Sequence, residues 1–281
     1  MKVRFITHSF FILVFMVFFS CKTDKQVDTP NGIVYDSISE ARIYHLDNDS
    51  TKPSCSLKIK YIYPVEYKAP EVLAKMQGEL NFALMEDEAY EKLTPTEAVQ
   101  KYVTDYIENY KRDAKEQFPN WEDSGDTEDY FSYYKTLDTK IIYDMSGILS
   151  YQISSMDYKG GANSSTAYRN VVIDLQTGNR LGEPDIFVAD YKKVLNSTIV
   201  DKIVAQNNVK KADDLLEFGY WGIEDITSND NFYVDKKGIT YIFNPGECAA
   251  FTLGEIRVFI PYEEVISVLK ANSPISHLSG K

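Results

Sequence analysis

The stretch that decides the fold is Phe131–Tyr158, FSYYKTLDTKIIYDMSGILSYQISSMDY. Phe131 to Tyr143 reads as a strand rich in tyrosine, isoleucine and threonine. Asp144-Met145-Ser146-Gly147 is a turn, and Ile148 to Tyr158 is the returning strand. Aromatic and β-branched runs joined by a short polar turn that ends in glycine predict an antiparallel hairpin.

The same periodicity continues on both sides. Toward the N-terminus, Ile33 to Leu46 and Ser54 to Tyr63 alternate apolar and polar, with Leu57, Ile59, Tyr61 and Tyr63 on one face. That is strand spacing, and Pro64 ends the second run. Ala69 to Leu84 reads as a helix with Pro70 near its first turn. Thr94-Pro95-Thr96-Glu97 supplies an N-cap, a proline at the first helical position and an acid at the third, which is a capping box. Behind it Ala98, Val99, Tyr102, Val103, Tyr106, Ile107 and Tyr110 recur at helical spacing through about Phe118, a core face. Trp121 to Asp129 is an acidic loop that lacks the glycine placement and the closing glutamate of an EF-hand.

Toward the C-terminus, Gly160-Gly161-Ala162-Asn163 is a tight connection, Thr166 to Leu175 a strand, and Gln176-Thr177-Gly178-Asn179 a further turn. A helix is predicted from about Asp190 to Gln206, burying Leu195, Ile199 and Ile203, and a weaker one over Ala212 to Phe218. Two strands surround Lys236-Lys237-Gly238, another covers Gly254 to Ile260, and a short helix follows Pro261 with Tyr262, Val265, Ile266 and Leu269 inward. Strands and helices come in runs, so the class is α+β. We expect two packed subdomains, 33–157 and 158–272, each a mostly antiparallel sheet with helices on one side, and a tail at 273–281.

The N-terminus carries an address. Lys2 and Arg4 precede an apolar run from Ser9 to Phe19, and Ser20-Cys21 closes it before the polar Lys22-Thr23-Asp24-Lys25. A basic start, a short apolar stretch and a small residue at the cut site describe a secretory signal over 1–20. The run is shorter than the roughly 20 apolar residues of a spanning helix. Phe18-Phe19-Ser20-Cys21 resembles a bacterial lipobox, with Cys21 as the lipidated residue and 21–32 as a tether to an envelope membrane. Cleavage there removes two basic residues and no acid, leaving 28 basic against 42 acidic residues, a net charge of −14. Such a surface argues against nucleic acid and would steer a cationic partner toward the protein, with solubility the commoner reason for such a charge. Two other cysteines remain, Cys55 and Cys248. In an oxidising compartment they predict one disulfide closing a loop of roughly 190 residues, worth up to about 5 kcal/mol in the chain-entropy account. The alternative is two buried free thiols.

Several short motifs together resemble a known domain. Tyr158-Lys159-Gly160-Gly161-Ala162-Asn163 comes first, then Asn170-Val171-Val172-Ile173-Asp174-Leu175-Gln176-Thr177-Gly178 and Asp185-Ile186-Phe187. Gly238 to Pro245, Gly254-Glu255-Ile256 and Ile260-Pro261-Tyr262-Glu263-Glu264 complete the set. Their order and spacing resemble the domain at the C-terminus of RsiV-type anti-sigma factors, also found beside the catalytic module of PdaC-type peptidoglycan deacetylases. Tyr35 to Asp157 is similar to the small α+β domain that usually precedes it. Asn163 stands where that family often has histidine, and Gly246 where it commonly has tyrosine. Nothing in the sequence matches a sigma-binding segment or a deacetylase catalytic domain, so the expectation is a stand-alone lipoprotein. RsiV-type domains bind lysozyme, so the resemblance implies a cationic, lysozyme-like protein as partner.

No catalytic, cofactor or metal pattern is read. His45 and His277, the histidines beyond the signal, sit in no metal-ligand or nucleophile–base spacing. Gly160-Gly161 does not open a helix as a phosphate loop would. Its glycines suit a turn, with a ligand loop including Asn163 as the alternative. Tyr220-Trp221, framed by Gly219 and Gly222, reads either as an interface anchor or as core beneath a sheet. The function expected is therefore a non-catalytic, lipid-anchored envelope binding protein. The alternatives are a carbohydrate- or peptidoglycan-associated protein and a carboxylate-dependent glycan hydrolase.

Overall fold

The predicted hairpin exists as Tyr133–Met145 (β3) and Ile148–Tyr158 (β4), paired antiparallel from Met145↔Ile148 to Tyr134↔Tyr158, in a computed structural model that describes residues 29–117, 131–160 and 164–280. Ser146 (φ 56°) and Gly147 (φ 80°) both take left-handed backbone angles. That is the mirror-image turn whose twist suits a two-residue hairpin.

Three more strands complete the first sheet. Val34–His45 (β1) and Ser54–Glu66 (β2) pair antiparallel, and Ser165–Asp174 (β5) runs antiparallel to β4. The order is β1-β2-β3-β4-β5, and β2 pairs with β3 in parallel from Cys55↔Tyr133 to Lys60↔Asp138. Parallel neighbours need a long crossover. Here it holds two helices, Pro70–Met85 (α1) and Pro95–Gln117 (α2). The capping box is present: Thr94 N–H donates to Glu97 Oε2 at 3.0 Å and Glu97 N–H to Thr94 Oγ1 at 3.4 Å.

Alternation on β2 puts Leu57, Ile59 and Tyr61 against Val72, Met76, Leu80 and Leu84, which lie four apart along α1. Burying each such side chain contributes about 1.5–3 kcal/mol. Asn81 is the polar exception, fully buried and satisfied. Its Oδ1 accepts from the Tyr61 hydroxyl at 2.9 Å, and its Nδ2 donates to the carbonyls of Tyr90 and Leu93 at 3.3 and 2.8 Å.

The second sheet is Phe232–Val234 (β6), Gly238–Phe243 (β7) and Ile256–Pro261 (β8), all antiparallel. Glu183–Ile186 (α3), Lys192–Gln206 (α4) and Tyr262–Val265 (α5) accompany it. Leu195, Ile199 and Ile203 of α4 share one core with Val258 and Ile260 of β8, as their spacing predicts. The molecule is thus α+β with two sheet-based parts. Ile266, expected inward, is only half-buried.

Side chains, not ladder bonds, join the two sheets. Asn231 accepts from the N–H and Nδ2 of Asn170 and donates to the carbonyls of Tyr168 and Ile242, all within 2.8–3.0 Å. Asn244 Oδ1 accepts from Tyr168 N–H at 2.6 Å, and the Ser150 hydroxyl donates to the Val234 carbonyl at 2.6 Å. Because β5 belongs to the first sheet, the expected division at 157/158 falls inside that sheet, not between the two. The Asp174–Gly178 motif is a turn: Asp174 accepts from Gln176 N–H and the Thr177 hydroxyl. Gly178 (φ 79°) lies so close to α1 that an added Cβ would sit 2.9 Å from Lys75 Cβ.

The expected disulfide is not formed. Cys55 and Cys248 are free, and each is buried in a different cluster. Cys55 lies with Tyr110 and Tyr133 at the start of β2, and Cys248 packs in the core of the three-stranded sheet. Two separate cores keep the thiols apart. No helix among the described residues is long and apolar enough to cross a membrane. The signal, Cys21 and the acidic loop at 121–129 lie outside the described residues.

Candidate functional site

Ala212–Phe218 forms a 3₁₀ helix that ends at Gly219 (φ 91°), whose N–H bonds the Leu216 carbonyl at 3.2 Å. A left-handed residue here reverses the chain, and glycine adopts it without strain. An added Cβ would also stand 2.8 Å from Leu253 Cδ1. The chain then runs antiparallel to 248–250. Tyr220 bridges Ala249, Trp221 N–H donates to the Cys248 carbonyl at 3.2 Å, and Ala250 N–H donates to Gly219 O at 2.8 Å.

Strand-like alternation in this short pair sends neighbouring side chains opposite ways. Tyr220 is buried, and its hydroxyl accepts from Asn207 Nδ2 at 3.1 Å. Trp221 is 52% exposed. Of the two aromatics, Tyr220 is therefore core and Trp221 stands at the surface. Beside the indole a groove of about 170 Å³ is lined by Leu215, Leu216, Ile223 and Ile226 among others. Leu216, Phe218, Ile223, Phe251 and Leu253 are all exposed on these two chain segments. Large exposed apolar side chains concentrated in one place mark an interaction surface more often than scattered ones do.

The surrounding charge has one sign. Residues 212–226 hold Asp213, Asp214, Glu217, Glu224 and Asp225, and residues 246–255 add Glu247 and Glu255, with no lysine or arginine in either segment. Lys211 reaches Asp214 at 3.7 Å and Arg257 reaches Glu255 at 3.6 Å. Glu217, Glu224, Asp225 and Glu247 make no ion pair among the described residues. Cys248 beneath the surface is inert: burial first, then Glu247 and Asp225, pushes its thiol up to about 12.

The other sequence candidates lie elsewhere. Gly160 (φ 86°) follows β4 on the five-stranded sheet, consistent with a turn. Gly161 and Asn163 lie outside the described residues. Leu216, Phe218, Phe251 and Leu253 were missed by sequence reasoning. The available signal was the density of apolar residues in DDLLEFGYWGIED, which follows no helical or strand period. Among the described residues no three histidine, cysteine or carboxylate side chains are grouped to hold a metal.

Comparison with known proteins covers both halves of the chain. Residues 50–166 match a family model described as deacetylase PdaC, and residues 184–263 match one described as a protein of unknown function, DUF3298. No curated protein matches the chain. A DUF3298 family member from Bacteroides fragilis NCTC 9343 is 28% identical, with a TM-score of 0.83, covering 90% of this chain and 100% of that one. A DUF3298 family protein from Pseudomonas aeruginosa PAO1 shares the fold at 13% identity and a TM-score of 0.60, covering 85% and 95%. The chain thus carries a PdaC-like segment followed by a DUF3298-like one, on the fold of a solved DUF3298 family protein.

Proposed function

We propose that this chain is a non-catalytic envelope protein, held to a membrane by lipid on Cys21, that binds a cationic protein at the Trp221 surface. The observation that carries the reading is the exposed indole among apolar side chains, flanked by carboxylates with no basic residue in the same segments. A large aromatic in a partly desolvated setting is the usual anchor of a protein interface. Surrounding acids of one sign steer a basic partner and speed its association. The RsiV-type resemblance names lysozyme as the first partner to try, and the net negative charge suits it.

The test is retention of the full chain, extracted in mild detergent, on immobilised lysozyme at low and moderate salt. Retention that survives moderate salt and falls on Trp221→Ala supports the reading. Absence of retention, or retention that Trp221→Ala leaves unchanged, overturns it.

A further inference from the structure

The chain enters the fold through a clamp. Thr29 to Asn31, just ahead of β1, lie along the β3–β4 turn. Ser146 N–H donates to the Thr29 carbonyl at 2.7 Å, and Pro30 bridges Met145. The Asn31 amide closes the contact. Its Nδ2 donates to Asp144 Oδ1 at 2.7 Å and to the Ile148 carbonyl at 2.9 Å, while its Oδ1 accepts from Gly147 N–H at 2.6 Å. A terminal segment is ordered where it is tied down, so the entry point is fixed on the body.

The Trp221 surface lies at the opposite end of the strands. Ile148 begins β4 beside the clamp, and Ser154, farther along, pairs with Tyr168 of β5. Asn244, directly after β7, accepts from Tyr168 N–H, so β7 ends at that level. Residues 244–255 join β7 to β8 there, and Cys248 among them holds Trp221. The β6–β7 turn is at the clamped end instead, because Val234 N–H donates to Ser150 Oγ at 3.1 Å. Six positions separate Ile148 from Ser154, about 20 Å of strand at about 3.3 Å each.

Charge divides along the same axis. Lys236 and Lys237 are exposed on the β6–β7 turn. The segments around Trp221 and Cys248 hold Glu217, Glu224, Asp225 and Glu247 and no basic residue. Asp144 and Asp235, also at the clamped end, are taken up by Asn31 and by the N–H groups of Lys237 and Gly238. Anionic headgroups attract lysine and repel carboxylates. Cys21 and Thr29 are eight positions apart, a chain of at most about 26–29 Å, so the clamped end stays near an anchoring bilayer. We infer that the clamp turns the Trp221 surface away from the membrane and toward a soluble partner, which rests on the Cys21 anchor proposed above.

Resonance energy transfer tests it on the lipidated chain in vesicles of phosphatidylcholine and phosphatidylglycerol that carry a rhodamine lipid as acceptor. The donor dye is attached at Lys237→Cys on the clamped end or at Phe218→Cys near Trp221; Cys55 and Cys248 are buried and stay unlabelled. Transfer several-fold greater from position 237 is expected, with the difference reduced by Asn31→Ala, which opens the clamp. Near-ultraviolet circular dichroism checks that the variants fold. Equal transfer, greater transfer from position 218, or a difference untouched by Asn31→Ala would each overturn the inference. Mass spectrometry of the extracted protein reads the Cys21 lipid separately. If that lipid is missing, the anchoring reading fails by itself, and a Cys21→Ser chain coupled at its amino terminus to a synthetic lipid decides the orientation by the same readout.

Discussion

Trp221 donates its backbone N–H to the carbonyl of Cys248 at 3.2 Å, and that bond holds an exposed indole on a backbone pair whose preceding residue, Tyr220, points into the core. Surface exposure and core packing are thereby divided between two adjacent aromatics.

The division is measurable. Trp221→Ala should change the unfolding free energy by no more than about 0.5 kcal/mol, as for other exposed positions. It should weaken capture of the cationic partner by about 2 kcal/mol or more. Tyr220→Ala should instead cost about 3–5 kcal/mol of stability, because it opens a cavity beside Leu215 and Ala249. Urea unfolding of the two variants, read beside their retention on lysozyme, checks both halves. Equal effects of the two substitutions on stability would contradict the assignment.

Charge should act on rate more than on the bound state. Replacing Glu217 and Glu224 with glutamine and Asp225 with asparagine should slow association about tenfold at low salt, with wild type and variant converging as salt rises. Surface-binding kinetics across an ionic-strength series would show it. A difference that persists at high salt would mean that these side chains make direct contacts instead.

Asn231 should be among the most costly polar residues to remove. Asn231→Ala takes away bonds to Asn170, Tyr168 and Ile242; Asn244 and Asn229 still donate to the Tyr168 and Ile242 carbonyls, so the Asn170 N–H is the group left stranded at the junction. The expected loss is about 1–3 kcal/mol, the desolvation cost of the stranded N–H. Denaturant midpoints for Asn231→Ala and for an exposed control such as Lys193→Ala make the comparison; a loss below about 0.5 kcal/mol would mean water replaces the amide.

Alkali should unfold the protein. Burial pushes both the Cys55 and Cys248 thiols up to about 12 from the ordinary 9.0, and raises the buried phenols of Tyr61 and Tyr241 as well. The folded state holds these protons more tightly than the unfolded chain does. Their contribution to stability is therefore complete below about pH 9 and is lost as pH climbs toward 12. Circular dichroism and tyrosinate absorbance should change together in that window, and thiol reagents should react slowly until they do. Ionisation of these groups with the native spectrum intact would refute this.

Most strands and helices were legible because their periodicity coincides with burial. The capping box at Thr94 and the 146–147 turn came through local chemistry alone, each made by residues within a few positions of one another. Three features did not. The parallel pairing of β2 with β3 depends on what the two intervening helices cover, and no residue in either strand announces it. Membership of β5 in the first sheet was hidden because Gly160-Gly161 looks like a boundary, while the true junction is built by Asn231 and Asn244 from far along the chain. The cysteine pairing failed because compartment and count say nothing of distance, and separate cores hold the two thiols. At the surface, Trp221 was singled out as an aromatic between glycines. The segment that carries Phe251 and Leu253 comes alongside that of Trp221 only through the antiparallel contact at Tyr220 and Ala249.

The parallel seam also sets an order of events during synthesis. Ser54 and its partner Ser132 across that seam are 78 positions apart, so the β1–β2 pair emerges long before its inner edge can be closed. Until then a strand carrying Leu57, Ile59 and Tyr61 presents open backbone groups, the arrangement that recruits other chains. Under the proposed export, the chain would cross its membrane unfolded, or be shielded by a chaperone through that interval. The delay is written into the topology, and no substitution on the surface would shorten it.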